Sequence, residues 1–314
     1  MDGQFPLQVF PFRLEIETEG RFRAPEYQGS LFRGGFGKYF RELSCVTRAP
    51  VCDGCEKRHV CPYSMVFETP VDPTRATVLR KYPNAPHPFV LAPEINGFGI
   101  LEPRTKLNLH IALFGAGSVY LPHFLSVFEH MGQEGRFGGK FRLVRADSAC
   151  KPELIFDGAA RRLLRDPAVW NWPAEPEPAT EFWIEFLTPL RMRTGGIYNR
   201  KPSFPEITQT LLRRIHLLRA LYGDGMVDTG WTAPLLKAAD NARVLQAEWR
   251  VFEWDRNSGR QGRRVEMDGV LGSIRVQGDL TELARWFRFG GVGAHGERDE
   301  HGVGEIPGVD WRVG

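Results

Sequence analysis

Apolar and polar residues alternate over residues 7–18, LQVFPFRLEIET, and this period of two predicts an opening strand in which Pro11 marks an edge or a bulge. The period then changes. Over 27–43, YQGSLFRGGFGKYFREL, Leu31, Phe32, Phe36, Phe40 and Leu43 recur at helical spacing, with Arg33, Lys38 and Arg41 away from them. Gly34, Gly35 and Gly37 are poor helix formers, so something such as a strand or a ligand is expected close against the backbone there. Residues 45–95 break the pattern with a run of cysteines and a Pro-rich tract, and read as an insertion with little regular structure. A strand at 105–115, a helix at 119–133 and strands at 138–146 and 151–157 follow. A polar, Pro-rich linker from Asp166 to Pro178 divides the chain.

Beyond the linker the pattern predicts a strand at 181–187, helices at 205–222 and 232–242, strands at 244–255 and 263–276, a helix at 279–288, a glycine loop and a short terminal strand. Strand, helix, two strands, helix, strand is the ferredoxin-like order. The expected fold is therefore α+β, with tandem ferredoxin-like (RRM-like) domains over 1–165 and 180–314. The first carries the cysteine-rich insertion at about 45–95, and the second carries the glycine-rich loop 290–304.

Composition narrows the function classes. With 42% hydrophobic and 25% charged residues in 314, the chain should fold as a soluble protein. Its net charge of +3 does not by itself call for a nucleic acid, so clustered arginines must make that case. No stretch reaches the roughly 18 apolar residues of a membrane span, and no membrane partner is expected. The first residues lack the basic start and small-residue cleavage site of a signal peptide, so the cytoplasm is the expected compartment.

Four cysteines carry the clearest local chemistry. Cys45, Cys52, Cys55 and Cys61 follow C-x(6)-C-x(2)-C-x(5)-C, a spacing at which thiolates can surround one tetrahedral zinc. An iron–sulfur cluster is the alternative, because Pro62 follows the last cysteine. With all four ligands from protein, such a site is structural. A second constellation is the glycine loop FGGVGAHGERDEHGVGEI at 289–306, in which Gly291, Gly293, Gly296, Gly302 and Gly304 let backbone N–H groups approach a phosphate. Third, Arg256, Arg260, Arg263 and Arg264 fall within nine residues beside Trp254, and suit phosphate contact with base stacking. Arg213, Arg214 and Arg219 on the long helix either extend that basic track or, the reading favoured for a core helix, are surface residues.

The segment G-G-V-G-A-H-x(6)-G-V-G resembles the C-terminal glycine-rich loop of the RAMP superfamily. Three upstream segments resemble the CRISPR precursor-RNA processing endoribonucleases of that superfamily: YQGSLFRGGFGKYFREL, the cysteine block CDGCEKRHVCPYSMVFETP with RKYPNAPHPFVL after it, and WRVFEWDRNSGRQGRRVEMDGVLGSI. The resemblance implies two RAMP domains and binding of CRISPR repeat RNA or crRNA, in the company of other effector subunits. It also implies cleavage without a metal, in which a 2′-hydroxyl attacks the adjacent phosphate and leaves a 2′,3′-cyclic phosphate, with the product kept bound. Such a reaction needs an acid, a base and cations at the phosphate. His295 is the first candidate for the proton carrier, with Tyr39 and Lys38 of the first helix as the partner or phosphate clamp. Arg33 and Arg298 join the arginines and glycines above as RNA contacts. Glu297, Asp299 and Glu300 surround Arg298, and this acidity leaves a second reading open, a non-cleaving crRNA-binding subunit. A scaffold protein built around the cysteine knuckle, with no RNA, is the third.

Overall fold

The computed structural model describes residues 7–71, 86–94, 97–172, 175–194, 197–258, 263–291 and 309–313, with backbone alone over 255–258, 263–266, 291 and 309–313. The chain forms two compact units, one of Pro6–Trp170 with Leu217–Gly225, the other of Asn171–His216 and Met226–Gly314 with Met1–Phe5.

In the first unit the elements run β1 (Val9–Thr18), β2 (Phe22–Ala24), α1 (Gln28–Ser44), β3 (Phe89–Pro93), β4 (Gly99–Leu101), β5 (Lys106–Phe114), α2 (Leu121–Glu134), β6 (Phe141–Ser148), β7 (Leu154–Asp157) and β8 (Arg162–Leu163). The main sheet has the order β3-β5-β1-β6-β7-β8, antiparallel throughout. Its first four strands follow the ferredoxin-like order, with β1-α1-β3 and β5-α2-β6 as the two crossovers. The strand β3 lies in the tract expected to be irregular. Pro88 and Pro93 flank a short apolar run there and disguise it, while β3 lies at the sheet edge, where proline is tolerated.

The core of this unit lies between that sheet and its two helices. Phe12, Leu14 and Ile16 of β1 and Leu107, Leu109 and Ile111 of β5 are buried with Phe32, Phe36 and Phe40 of α1 and Phe124, Phe128 and Met131 of α2. Phe36 is the hub, with ring centroids of Phe40, Phe67, Phe89, Phe124 and Phe128 between 4.6 and 5.7 Å away. Leu43, expected on the buried face, is exposed, and Tyr39 is buried in the helix instead. The close neighbours of the glycine cluster are also unlike the strand or ligand expected. A Cβ on Gly35 would meet Met131 and Phe137 within 3 Å, and one on Gly37 would meet Phe67. Gly35 thus lets α2 approach α1.

The second unit runs β9 (Glu181–Leu190), β10 (Arg193–Thr194), β11 (Ile197–Tyr198), α3 (Phe204–Tyr222), α4 (Ala233–Asn241), β12 (Arg243–Ser258), β13 (Arg263–Gln277), α5 (Thr281–Gly291) and β14 (Val309–Val313), with the last turn of α3 counted in the first unit. Its sheet order β12-β13-β9-β14 is again ferredoxin-like. Phe182 of β9, Phe204 of α3 and Phe287 of α5 stack at 5.6–5.7 Å and join the sheet to both helices. At Gly272, φ is +151° and a Cβ would come within 1.9 Å of the Glu248 carbonyl oxygen. Glycine therefore permits the bulge that shifts the β13–β9 register between Val270 and Gly272. Both halves of the chain thus carry the α+β order expected from the sequence.

Phe36→Ala should cost the first unit roughly 3–5 kcal/mol, because five aromatic rings lose their common partner. Its urea midpoint should fall with an unchanged slope. An unchanged midpoint would show that Phe36 is not the hub.

Candidate functional site

The cysteines of the insertion begin at the end of α1. Cys45 closes the helix with its N–H donating to the Arg41 carbonyl oxygen, and the Arg41 guanidinium donates to the Ala49 and Pro50 carbonyls, which folds the following loop back. The Cys55 N–H donates to the Cys52 carbonyl at 3.2 Å in a tight turn. Thr47 Oγ1 lies 3.8 Å from Cys45 Sγ and 3.5 Å from Cys55 Sγ. Cys45, Cys52, Cys55 and Cys61 are all free and half-buried, and all four line one recess. Burial pushes the Cys52 thiol up, helped by Glu68 and the neighbouring cysteines. Burial would raise Cys45 too, but hydrogen bonds from Thr47, the Arg48 backbone and Arg41 bring it below its usual value. Among the described residues, no three of His, Cys, Asp and Glu already stand in a metal-holding arrangement. The four sulfurs therefore share a recess without converging on one point.

On α1, the Arg33 guanidinium lies 5.1 Å from the Phe89 ring centroid, and the Lys38 ammonium is 5.7 Å from Tyr39 and 5.6 Å from Phe137. Tyr39 is fully buried, edge-on to His130 and Phe137, and burial pushes its phenol up. A hydroxyl closed off in the core does not exchange protons with a bound RNA, so Tyr39 has a packing role in this arrangement. Lys38 stays exposed beside it. Arg219 also departs from the expected basic track, because it is buried at the end of α3 and pairs with Asp224 at 2.8 Å. Arg213 and Arg214 are exposed on the same helix.

The first sheet carries a polar network on the face away from its helices. His110 Nε2 is 2.6 Å from Glu94 Oε1, and Asn108 Nδ2 donates to Glu94 Oε2 at 2.8 Å. Beside them lie the pairs Lys106–Glu15 and Arg142–Glu17, and Asp147 between Arg13 and Arg145. His110 is buried within this network.

In the second unit, β12 and β13 form a long antiparallel arm in which Arg256 opposes Val265, Asn257 opposes Arg264 and Ser258 opposes Arg263. Three of the four expected arginines therefore lie on paired strands near the tip, while Arg260 lies outside the described residues. Trp254 is half-buried, with its ring 6.0 Å from that of Phe252. Gly291 ends α5, whereas Gly293, His295, Gly296, Arg298, Gly302 and Gly304 lie outside the described residues.

A cationic group that the sequence reading passed over follows β9. The Arg191 and Arg193 guanidiniums lie 3.7 and 4.4 Å from the Tyr198 ring centroid, and Arg193 donates to the Tyr198 hydroxyl at 2.8 Å. Arg200 reaches Asp268 at 3.3 Å. Glu206, in the first turn of α3, anchors this hairpin. Its carboxylate accepts from the Ser203 N–H and hydroxyl at 2.8 Å, from Thr194 at 2.8 Å and from Asn199 at 3.1 Å. The signal available in the sequence was the run LRMRTGGIYNRK, four cations around one tyrosine, together with the capping box Ser203-x-x-Glu206.

Residues 5–168 match the model of the AF_1859_N N-terminal domain, and residues 184–306 match that of the CRISPR-associated endoribonuclease Cas6. An uncharacterized protein of Archaeoglobus fulgidus is 26% identical over 257 residues, which is 81% of each chain. A solved Cas6 product complex aligns at a TM-score of 0.50 and 17% identity, covering 98% of this chain and 99% of the other. A chain from a partial Cas6–RT–Cas1–Cas2 complex aligns at 0.51 and 8% identity, covering 98% of this chain and 46% of the other. At these identities the solved structures share the fold.

The Ser203 N–H, donating to the Glu206 carboxylate, does most to hold that carboxyl below its ordinary range, against burial and with help from the Ser203, Thr194 and Asn199 side chains. A depressed folded pKa stabilises the fold above the unfolded value of about 4.3. That contribution is lost as pH falls through the folded pKa. Glu206→Gln should therefore lower the melting temperature at pH 7, and the gap to wild type should close as the pH drops below about 4. A gap that persists at low pH would show that the carboxylate charge is not what holds the hairpin.

Proposed function

Because the chain belongs to the family of the AF_1859_N N-terminal domain and, through its second half, to the CRISPR Cas6-type family, we propose that it binds CRISPR repeat RNA and cuts the precursor transcript there. One observation carries the reading. The residues matched by the endoribonuclease model, 184–306, include most of β9, the arginine-bearing β12–β13 arm and the glycine-rich segment. The arm and loop bring guanidinium and backbone N–H donors, the groups that hold a ribose-phosphate chain.

In this proposal the nucleophile belongs to the substrate, so no metal is needed for the reaction. The 2′-hydroxyl attacks the adjacent phosphorus and the P–O5′ bond breaks. The products are a 2′,3′-cyclic phosphate and a 5′-hydroxyl. His295 carries the proton at one of the two oxygens, and Lys38, held against the Tyr39 and Phe137 rings, is the first unit's own cation for RNA phosphate. The crRNA stays bound after cleavage and is passed to other effector subunits. The second reading, binding without cleavage, is favoured by the acidic run Glu297, Asp299 and Glu300 around Arg298.

The test is incubation with the repeat RNA encoded beside the protein's own gene, in EDTA. We expect one discrete cut, cyclic-phosphate and 5′-hydroxyl ends, and no cut when the attacking 2′-hydroxyl is replaced by hydrogen. His295→Ala should slow cleavage about 100-fold or more. Full cleavage by that variant would remove His295 from the site. Intact RNA under all conditions with tight, salt-sensitive binding would select the non-cleaving reading.

We also propose that the four half-buried thiols around the shared recess hold one structural zinc, which would draw the sulfurs together and fix the insertion at the end of α1. Metal analysis of protein purified without chelators should give about one zinc per chain, and almost none in Cys52→Ser/Cys55→Ser. Iron with strong visible absorbance would assign a cluster, and a metal-free chain would dismiss the site.

A further inference from the structure

We propose that the β10–β11 hairpin is an additional phosphate-binding station for single-stranded RNA, built from residues other than the glycines and arginines named above. The inference rests on the RNA-binding reading above and specifies where a further part of the strand is held.

The first argument is electrostatic. Arg191 and Arg193 lie over the Tyr198 ring, Arg200 lines the same groove, and Lys201 is next in the chain. Two carboxylates stand against them. Asp268 of β13 serves Arg191 at 3.8 Å and Arg200 at 3.3 Å, while the hydrogen bonds of Glu206 go to Ser203, Thr194 and Asn199. Arg193 is exposed, and its described hydrogen bond goes to the neutral Tyr198 hydroxyl. A guanidinium carries five donors, so most of those on Arg193 remain for a ligand.

The second argument is rigidity. Met192, between the two arginines, is buried and accepts from the Asn199 N–H at 2.9 Å. Arg191 Nε donates to the Asp268 carbonyl at 2.9 Å. Stacking on Tyr198 and the Glu206 anchor hold the guanidiniums in place before any ligand arrives, which lowers the ordering cost of binding. Arg191, Tyr198, Arg200 and Asp268 line one shallow groove, and Ile197 beside it is 75% exposed. Fixed cations next to a flat, partly apolar surface fit a phosphodiester chain with unpaired bases better than an acidic peptide, which brings charge without flat rings.

The experiment titrates full-length protein with fluorescent repeat RNA across a range of KCl concentrations, comparing wild type with Arg193→Ala/Arg200→Ala. Removing two phosphate contacts should make the log–log salt slope shallower by about 1.4 and weaken binding at low salt. The double Lys variant should recover most of the slope, because an ammonium still meets phosphate as a point charge. An unchanged slope and affinity in the Ala variant, with wild type binding normally, would overturn the hairpin assignment and leave the RNA reading intact. Wild type that fails to bind repeat RNA would remove both. Polyglutamate that displaces RNA from wild type as well as unlabelled RNA does would reassign the hairpin to acidic peptides.

Discussion

A four-stranded sheet with one apolar face must cover that face, and in each half of this chain two crossover helices do so. In the first unit the alternation of β1 sends Phe12, Leu14 and Ile16 to one side, where α1 and α2 meet them around Phe36. In the second unit Phe182 fills the same role between Phe204 and Phe287. The helix registers, the close approach at Gly35 and the edge position of β3 follow from this burial. Without it neither sheet would have a fixed polar face.

The polar chemistry collects where the cores end. On the first sheet the positions of β1, β5 and β6 that face away from the helices carry acids and bases, including the His110–Glu94 contact. In the second unit the strand β9 leaves the core at Leu190 and passes directly into Arg191 and Arg193. Glu206 then connects two levels of organisation. It caps α3, a helix whose Phe204 belongs to the core, and it holds the hairpin that presents the arginines. Core packing and the placement of charge are thus coupled through one carboxylate.

The long periodic elements were legible in the sequence because each buries one face: β1, α1, β5, α2 and α3 all carry a stripe that a reader can count. What failed to show had local reasons. β3 is a five-residue strand that follows Pro88 and ends on Pro93, and its place in a sheet is a long-range fact. Tyr39 looked like a proton carrier because its hydroxyl is polar, but the packing of α2 and Phe137 decides its surroundings. Arg219 looked exposed by residue type, yet Asp224 just past the helix end draws it inward. The β10 and β11 strands have two residues each, too short for any period, so the pattern does not reveal the hairpin beside Arg191, Arg193 and Arg200. The cysteine spacing is a local pattern, and the structure brings all four thiols to one recess without setting them in a metal-holding arrangement.

In the function proposed above, the second ferredoxin-like unit grips RNA through arginines held by its core and its helix cap. Photocrosslinking tests it most directly, with 4-thiouridine-substituted repeat RNA bound to the intact chain and the adducts mapped by peptide mass spectrometry. Adducts should concentrate in residues 190–201 and along the arm 243–277. Adducts confined to the cysteine-rich insertion, or an even scatter over both units, would contradict the account.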